Sequence, residues 1–166
     1  MKKSLKFVLA TVVFTLSCVS VNADIGLKAG SYIDRELECL AKNIYHEAGG
    51  ESYEGKVAVA QVAVNRTENG NFPSSICGVI SQKTLFAGKF VCQFSWYCNS
   101  KRSIKLDTEL YEESYEVAKR VLLDGYRLST IRHALYFHNI NVNPRWNLIK
   151  VAKIGNHVFY RDKRQT

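Results

Sequence analysis

Glu47 is the residue of this chain best suited to proton chemistry. Asp34 opens a helical pattern in which Leu37, Leu40 and Ile44 recur at spacings of three and four, and Glu47 continues the stripe. A carboxyl group thus stands where an apolar side chain would be cheaper to bury. It also lies in the last turn of its helix, where unpaired carbonyls make the local potential negative. Both conditions disfavour the carboxylate and raise its pKa, which is what a general acid needs at neutral pH. Gly49-Gly50 ends the helix and leaves room for a ligand to approach. The simpler reading is a buried Glu satisfied by a nearby cation, Arg66 or Lys56, and the residues alone do not choose between the two.

Glu51, four positions on, raises the question of a two-carboxylate glycosidase. On an unbroken helix the pair would lie close to the roughly 5 Å of a retaining enzyme. Gly49-Gly50 interrupts that helix, so Glu51 is read as an orienting residue or a cap of the next helix, with direct chemistry as the alternative. Glu54 reads as a solvated acid in a helix's first turn. His46-Glu47 does not make a zinc-peptidase site, because Gly50 stands where the second His would be needed. His133, His138 and His157 have no ligand spacing. No metal or cofactor is expected.

The elements that must hold these residues follow from pattern and caps. Ser52 caps a second helix running to about Glu68, rich in Ala and Val, although Val57-Ala58-Val59-Ala60 also fits a buried strand. A shorter helical stretch covers Ser75 to Gln82, and Phe90 to Trp96 carries strand-type residues. Asp107 caps a further helix with Leu110, Ser114, Val117, Val121 and Leu122 on one side and Gly125 beyond its end. Ala134-Leu135-Tyr136-Phe137 and Val158-Phe159-Tyr160 are strand candidates, the second preceded by a Gly155-Asn156 turn. The expected fold class is α+β, mostly helical with a small antiparallel sheet.

With 166 residues, 46% apolar and 23% charged, the chain has the composition of one folded domain, not of a disordered or low-complexity segment. Lys2, Lys3 and Lys6 precede an apolar run, Phe7 to Val21, that exits through small residues at Val21-Asn22-Ala23. This pattern predicts a signal peptide over 1–23, a lead-in over 24–33 and a domain over 34–166, with export to the periplasm or extracellular wall. A rival reading makes Cys18 a lipidated residue, though Thr15-Leu16-Ser17 fits that pattern poorly. The run is too short and wrongly flanked for a confident membrane span. Cys39, Cys77, Cys92 and Cys98 remain as an even set, which predicts two disulfides in an oxidising compartment with three pairings open. The net charge of +8 includes the three leader lysines. The rest suits approach to an anionic wall, and no nucleic-acid motif or concentrated basic stripe is present.

Several separated blocks also carry a resemblance. Asn43-Ile44-Tyr45-His46-Glu47-Ala48-Gly49-Gly50-Glu51, Tyr53 to Ala60 with Asn65-Arg66, and Phe72-Pro73 with Cys77-Gly78-Val79-Ile80 come first. Cys92-Gln93-Phe94-Ser95-Trp96, Tyr136-Phe137-His138-Asn139, Trp146, and Ile154 to Tyr160 follow. Together they resemble the bacterial cell-wall hydrolase family typified by spore-cortex-lytic enzymes, over about Cys39 to Arg161. One departure is Gly49, where many relatives carry a basic residue. The resemblance implies a lysozyme-like fold, related to goose-type lysozymes and lytic transglycosylases, acting on peptidoglycan glycan strands; a monomer is the expected state. It implies Glu47 as the catalytic acid, cutting between N-acetylmuramic acid and N-acetylglucosamine as a transglycosylase or a muramidase. It places Ser95 where the family carries a small hydroxyl, and makes Gln93, Tyr136, His138 and Asn139 candidates to line a glycan groove. Trp96, Trp146 and Phe159 are core or groove wall, and His157 is a supporting residue. Two other classes stay open: a cysteine-type peptidase or amidase, which needs a free thiol beside a His, and a non-catalytic, disulfide-stapled glycan-binding protein.

Overall fold

The computed structural model describes residues 22–99 and 107–163; residues 1–21, which hold Cys18 and most of the signal peptide expected over 1–23, lie outside them. Five α-helices are present: α1 (Asn22–Ala48), α2 (Tyr53–Thr67), α3 (Ile76–Ser81), α4 (Ser95–Asn99) and α5 (Thr108–Leu122). The strands are β1 (Lys83–Phe86), β2 (Lys89–Cys92), β3 (Tyr136–Asn139), β4 (Ile149–Ile154) and β5 (His157–Arg161). The α+β class expected from the pattern is therefore observed.

α2 is the spine. Every residue from Gly55 to Arg66 is buried, as expected of a helix enclosed by neighbours on all sides. Ser52 caps it by accepting from the Gly55 amide at 3.3 Å, and Glu54 sits in the first turn, where the dipole favours it. Those terminal signals settle Val57–Ala60 as helix, not strand. On one side α2 meets α1, α3 and α5 through Val57, Ala60, Ala63 and Val64, packed with Leu40, Ile44, Val79 and Val121. On the other, Ala58, Val59 and Val62 pack with Ile131, Ala134, Ile154 and Phe159.

The polar residues of α2 hold the chain leading into the sheet. Gln61 donates to Leu128 O and accepts from Leu128 N, Asn65 donates to Ile131 O and Ala134 O, and Arg66 Nε donates to Leu135 O at 2.7 Å. These bonds tie α2 to the backbone of the segment from Leu128 to Leu135. β3, β5 and β4 form an antiparallel sheet in that order, with Tyr136 opposite Tyr160 and Asn139 opposite His157. The β4–β5 turn is Gly155-Asn156, with Gly155 at φ +54°.

Three local expectations change. α1 begins at Asn22, not Asp34; the chain from Gly30 to Arg35 is exposed, so no apolar stripe marks it. The strand read over Phe90 to Trp96 stops at Cys92, and Ser95 opens α4. β1, unread in the sequence, pairs with β2 through Leu85–Phe90 and Thr84–Val91. Its two-residue turn uses Ala87 and Gly88, both at positive φ, without the Asn-Gly signal of such turns.

The cysteine pairs are Cys39–Cys77 and Cys92–Cys98. The first ties α1 to α3. Glu36 of α1 reinforces that joint by accepting from the amides of Ile76 and Cys77 at the start of α3.

Candidate active site

Glu47 lies in the last turn of α1 and is half-buried. Neither nearby cation neutralises it by contact. Lys56 pairs with Glu113 of α5, and the Arg66 Nε bond goes to a backbone carbonyl. Among the described residues Glu47 has no hydrogen bond or salt bridge. Burial raises its pKa above the ordinary carboxylate range, and the field of Arg66 opposes that rise without cancelling it.

Arg66 is a site component whose role the sequence left undecided. It is buried, with its guanidinium 5.2 Å from the Phe72 ring centroid, 5.4 Å from Phe94 and 5.9 Å from Tyr136. Aromatic faces stabilise a cation that lacks a carboxylate in contact. Burial lowers its pKa to about 10, with Tyr136 and Glu47 opposing the fall; it remains charged at neutral pH. Its Nη1 is buried without a partner among the described residues.

The residue before Glu47 builds one wall. The His46 ring stacks on Trp96 of α4 at 4.4 Å, and Trp96 Nε1 donates to Asn43 Oδ1 at 3.3 Å. Burial lowers the His46 pKa, so it is neutral at pH 7. The Cys92–Cys98 bridge closes the loop that carries Phe94, Ser95 and Trp96. Ser95 and Gln93 are both exposed on this loop, and Ser95 makes no hydrogen bond to Glu47.

Glu51 is placed quite differently. Its Oε2 accepts from the Asn156 amide at 3.1 Å and its Oε1 from Asn156 Nδ2 at 3.0 Å. A Cβ at Gly155 would fall 2.1 Å from Glu51 Oε2. Only glycine lets the carboxylate into this turn, both by its positive φ and by its missing side chain. Buried His157 follows, with Nδ1 at 4.0 Å from Glu51 Oε1. Burial lowers its pKa and His138 adds to that, while Glu51 opposes. Glu51 therefore anchors the β4–β5 turn to the α1–α2 junction.

Tyr136, His138 and Asn139 come together on β3, all partly buried. His138 Nε2 bonds the Tyr160 hydroxyl at 2.9 Å and its ring stacks on Tyr160 at 5.3 Å. Trp146 lies against Tyr136, His138 and Tyr160. Burial raises the Tyr136 pKa, with Asp162 adding and Arg66 opposing. Phe159 is core, as one of its two expected placements had it. A cavity of about 560 Å³ lies elsewhere, lined by Glu51, Lys56 and the α5 carboxylates Glu109, Glu112, Glu113 and Glu116; Glu47 does not line it. Among the described residues no group of three or more His, Cys, Asp or Glu is placed to hold a metal ion, and no helix is long and apolar enough to cross a membrane.

Comparison with known proteins places this architecture. The chain is 29% identical over 134 residues to the spore cortex-lytic enzyme of Bacillus subtilis (strain 168), covering 78% of this chain and 39% of that protein. It is 29% identical over 132 residues to the spore cortex-lytic enzyme of Bacillus cereus, covering 77% and 45%. The chain thus spans less than half the length of these relatives. Its fold is similar to the crystal structure of the catalytic domain of Bacillus cereus SleB, with a TM-score of 0.57 and 25% identity over 78% of this chain and 92% of that one. The catalytic domain of the germination-specific lytic transglycosylase SleB from Bacillus anthracis matches equally, at TM-score 0.57 and 25% identity, over 76% and 93%. The lysozyme-like α+β class is thereby supported. The family model described as Cell Wall Hydrolase matches residues 50–160, starting three positions after Glu47. The chain belongs to the cell wall hydrolase family.

Proposed function

We propose that this protein cleaves peptidoglycan glycan strands between N-acetylmuramic acid and N-acetylglucosamine, with Glu47 as general acid and then base. The observation that carries the reading is a half-buried carboxyl group at the end of α1 whose pKa burial raises and which no neighbour among the described residues neutralises by contact. Glu47 donates its proton to the glycosidic oxygen as the bond from that oxygen to muramoyl C1 breaks. The positive charge at C1 is stabilised by the sugar's own acetamido group. The Glu47 carboxylate, eased by the Arg66 field, then takes the proton of the muramoyl 6-hydroxyl as its oxygen bonds to C1. A 1,6-anhydro ring results, and Glu47 is again protonated.

Two observations favour this ring closure over a two-carboxylate hydrolysis. Glu51, the nearest second acid in sequence, is committed to Asn156, and a similar catalytic domain is that of a lytic transglycosylase. The cysteine-peptidase alternative is disfavoured, since every Cys among the described residues is in a disulfide. The apolar leader read over 1–23 supports export to the wall. Purified cell walls provide the test. Wild type should clear their turbidity and Glu47→Gln should not, with anhydro-muramoyl ends in the mass spectra of the released fragments. Reducing ends would show that water captures C1 instead, and equal clearing by the variant would remove Glu47 from its role.

A further inference from the structure

The β1–β2 hairpin exposes more apolar surface than its size calls for. Leu85 is 63% exposed, Phe86 73%, Phe90 72% and Val91 51%. A two-stranded hairpin gains little stability by itself, and a contiguous apolar patch on a protein surface marks a contact site. Cross-strand register sorts these side chains. Lys83, Leu85, Phe90 and Cys92 share one face, and Thr84, Phe86, Lys89 and Val91 share the other.

The two faces are not equivalent. On the first, Cys92 is bonded to Cys98 of α4, and Lys83 Nζ lies 6.0 Å from the Tyr97 ring centroid. Next to Tyr97 is Trp96, stacked on His46 beside Glu47. A strip therefore runs from Phe90 and Leu85 past Lys83 to the α4 wall of the catalytic site. It combines apolar side chains, one of them aromatic, that can lie against the flat face of a sugar ring with a cation placed for a carboxylate.

We propose that the Lys83–Leu85–Phe90 face of the hairpin is a docking surface for the wall polymer, extending the Glu47 site along the strand, with Leu85 and Phe90 against sugar and Lys83 on a carboxylate of the stem peptides. The inference rests on the glycan-cleaving reading above and names where its substrate is held. A lipid bilayer fits this hairpin less well. Lys89 stands directly opposite Phe86 at the turn, so burying the tip in hydrocarbon would carry a charge with it, which a bilayer interior penalises. A peptide-bearing glycan meets lysines and apolar side chains together at no such cost.

The test uses the full chain carrying Glu47→Gln, so that walls bind without being consumed. Co-sedimentation with purified peptidoglycan sacculi is compared for Leu85→Ser/Phe90→Ser on the strip and Phe86→Ser/Val91→Ser on the opposite face. The strip pair should weaken binding about tenfold or more, as loss of contact anchors does; the opposite pair should change it less than about twofold. Lys83→Gln should weaken binding at low salt and reduce its salt dependence, whereas Lys89→Gln should leave both in place. These single charge changes on an exposed hairpin keep the test readable if the double variants misfold. Equal losses from both faces would mean nonspecific adsorption and overturn the proposal. So would unchanged sacculus binding, or losses confined to phosphatidylglycerol vesicles or to self-association on gel filtration. Because binding is read without turnover, a chain that docks through this face yet cleaves nothing fails the Glu47 reading alone. One that cleaves but docks independently of the face fails only this inference.

Discussion

Two glutamates four positions apart end up in opposite surroundings. Glu47, in the last turn of α1, has no hydrogen-bond or charge partner in contact among the described residues, and burial raises its pKa. Glu51, past the glycine break, is held by two hydrogen bonds from Asn156 and fills space that a side chain at Gly155 would need. On the proposed mechanism, the carboxylate that trades a proton is left unsatisfied by its own fold, because satisfying it would fix its charge. A carboxylate that must hold two elements together is satisfied completely. Partner count, not nearness in sequence, separates the two roles.

Substitution can break that contrast. Glu47→Gln should lower the rate of wall clearing by a factor on the order of 10²–10⁴, the usual share of a general acid, while leaving the denaturation midpoint near that of wild type. A midpoint collapse in this variant would mean that Glu47 is structural after all. Gly155→Ala should destabilise by about 2 kcal/mol or more, from its positive φ and from the overlap with Glu51, read by urea unfolding. Glu51→Ala should cost about 1–3 kcal/mol from the lost charged hydrogen bonds. Adding it to Gly155→Ala should cost less than the sum, since the overlap is then gone.

The smallest expected effect lies in pH dependence and sharpens the contrast. Glu47 has its folded pKa raised, so its protonated form favours the folded state. That contribution is full below the unfolded value and is lost as pH rises through the folded one. Activity should fall over the same rise, because the acid must carry its proton to work. Glu47→Gln should flatten that part of the stability curve. Glu51→Gln should leave the alkaline limb of the rate profile where it is, and a displaced limb would show that Glu51 acts on the chemistry.

Much of this was legible in the residues. The Leu37, Leu40, Ile44 stripe located the helix that delivers Glu47, and Ser52 and Asp107 marked the starts of α2 and α5, where both side chains accept from backbone amides. What escaped was set by contacts distant in sequence or by weak local signals. The Glu51–Asn156 joint spans 105 positions, and nothing near Glu51 announces it. The start of α1 escaped because Gly30 to Arg35 is exposed and carries no apolar stripe. β1 escaped because Ala87-Gly88 makes an unusual tight turn. Arg66 was visible as a cation near the acid, but its cradle of Phe72, Phe94 and Tyr136 assembles from three separate segments.

The burial of α2 on all sides has a consequence for how this protein tolerates change. From Gly55 to Arg66 no position faces solvent, so no rotation of the helix offers a harmless side on which a new residue could be placed. In a saturation library selected for folding, this twelve-residue stretch should be the most depleted part of the described chain, with losses spread evenly along it instead of recurring every third or fourth codon. The mutational record of an ordinary surface helix is striped; that of this one should be solid.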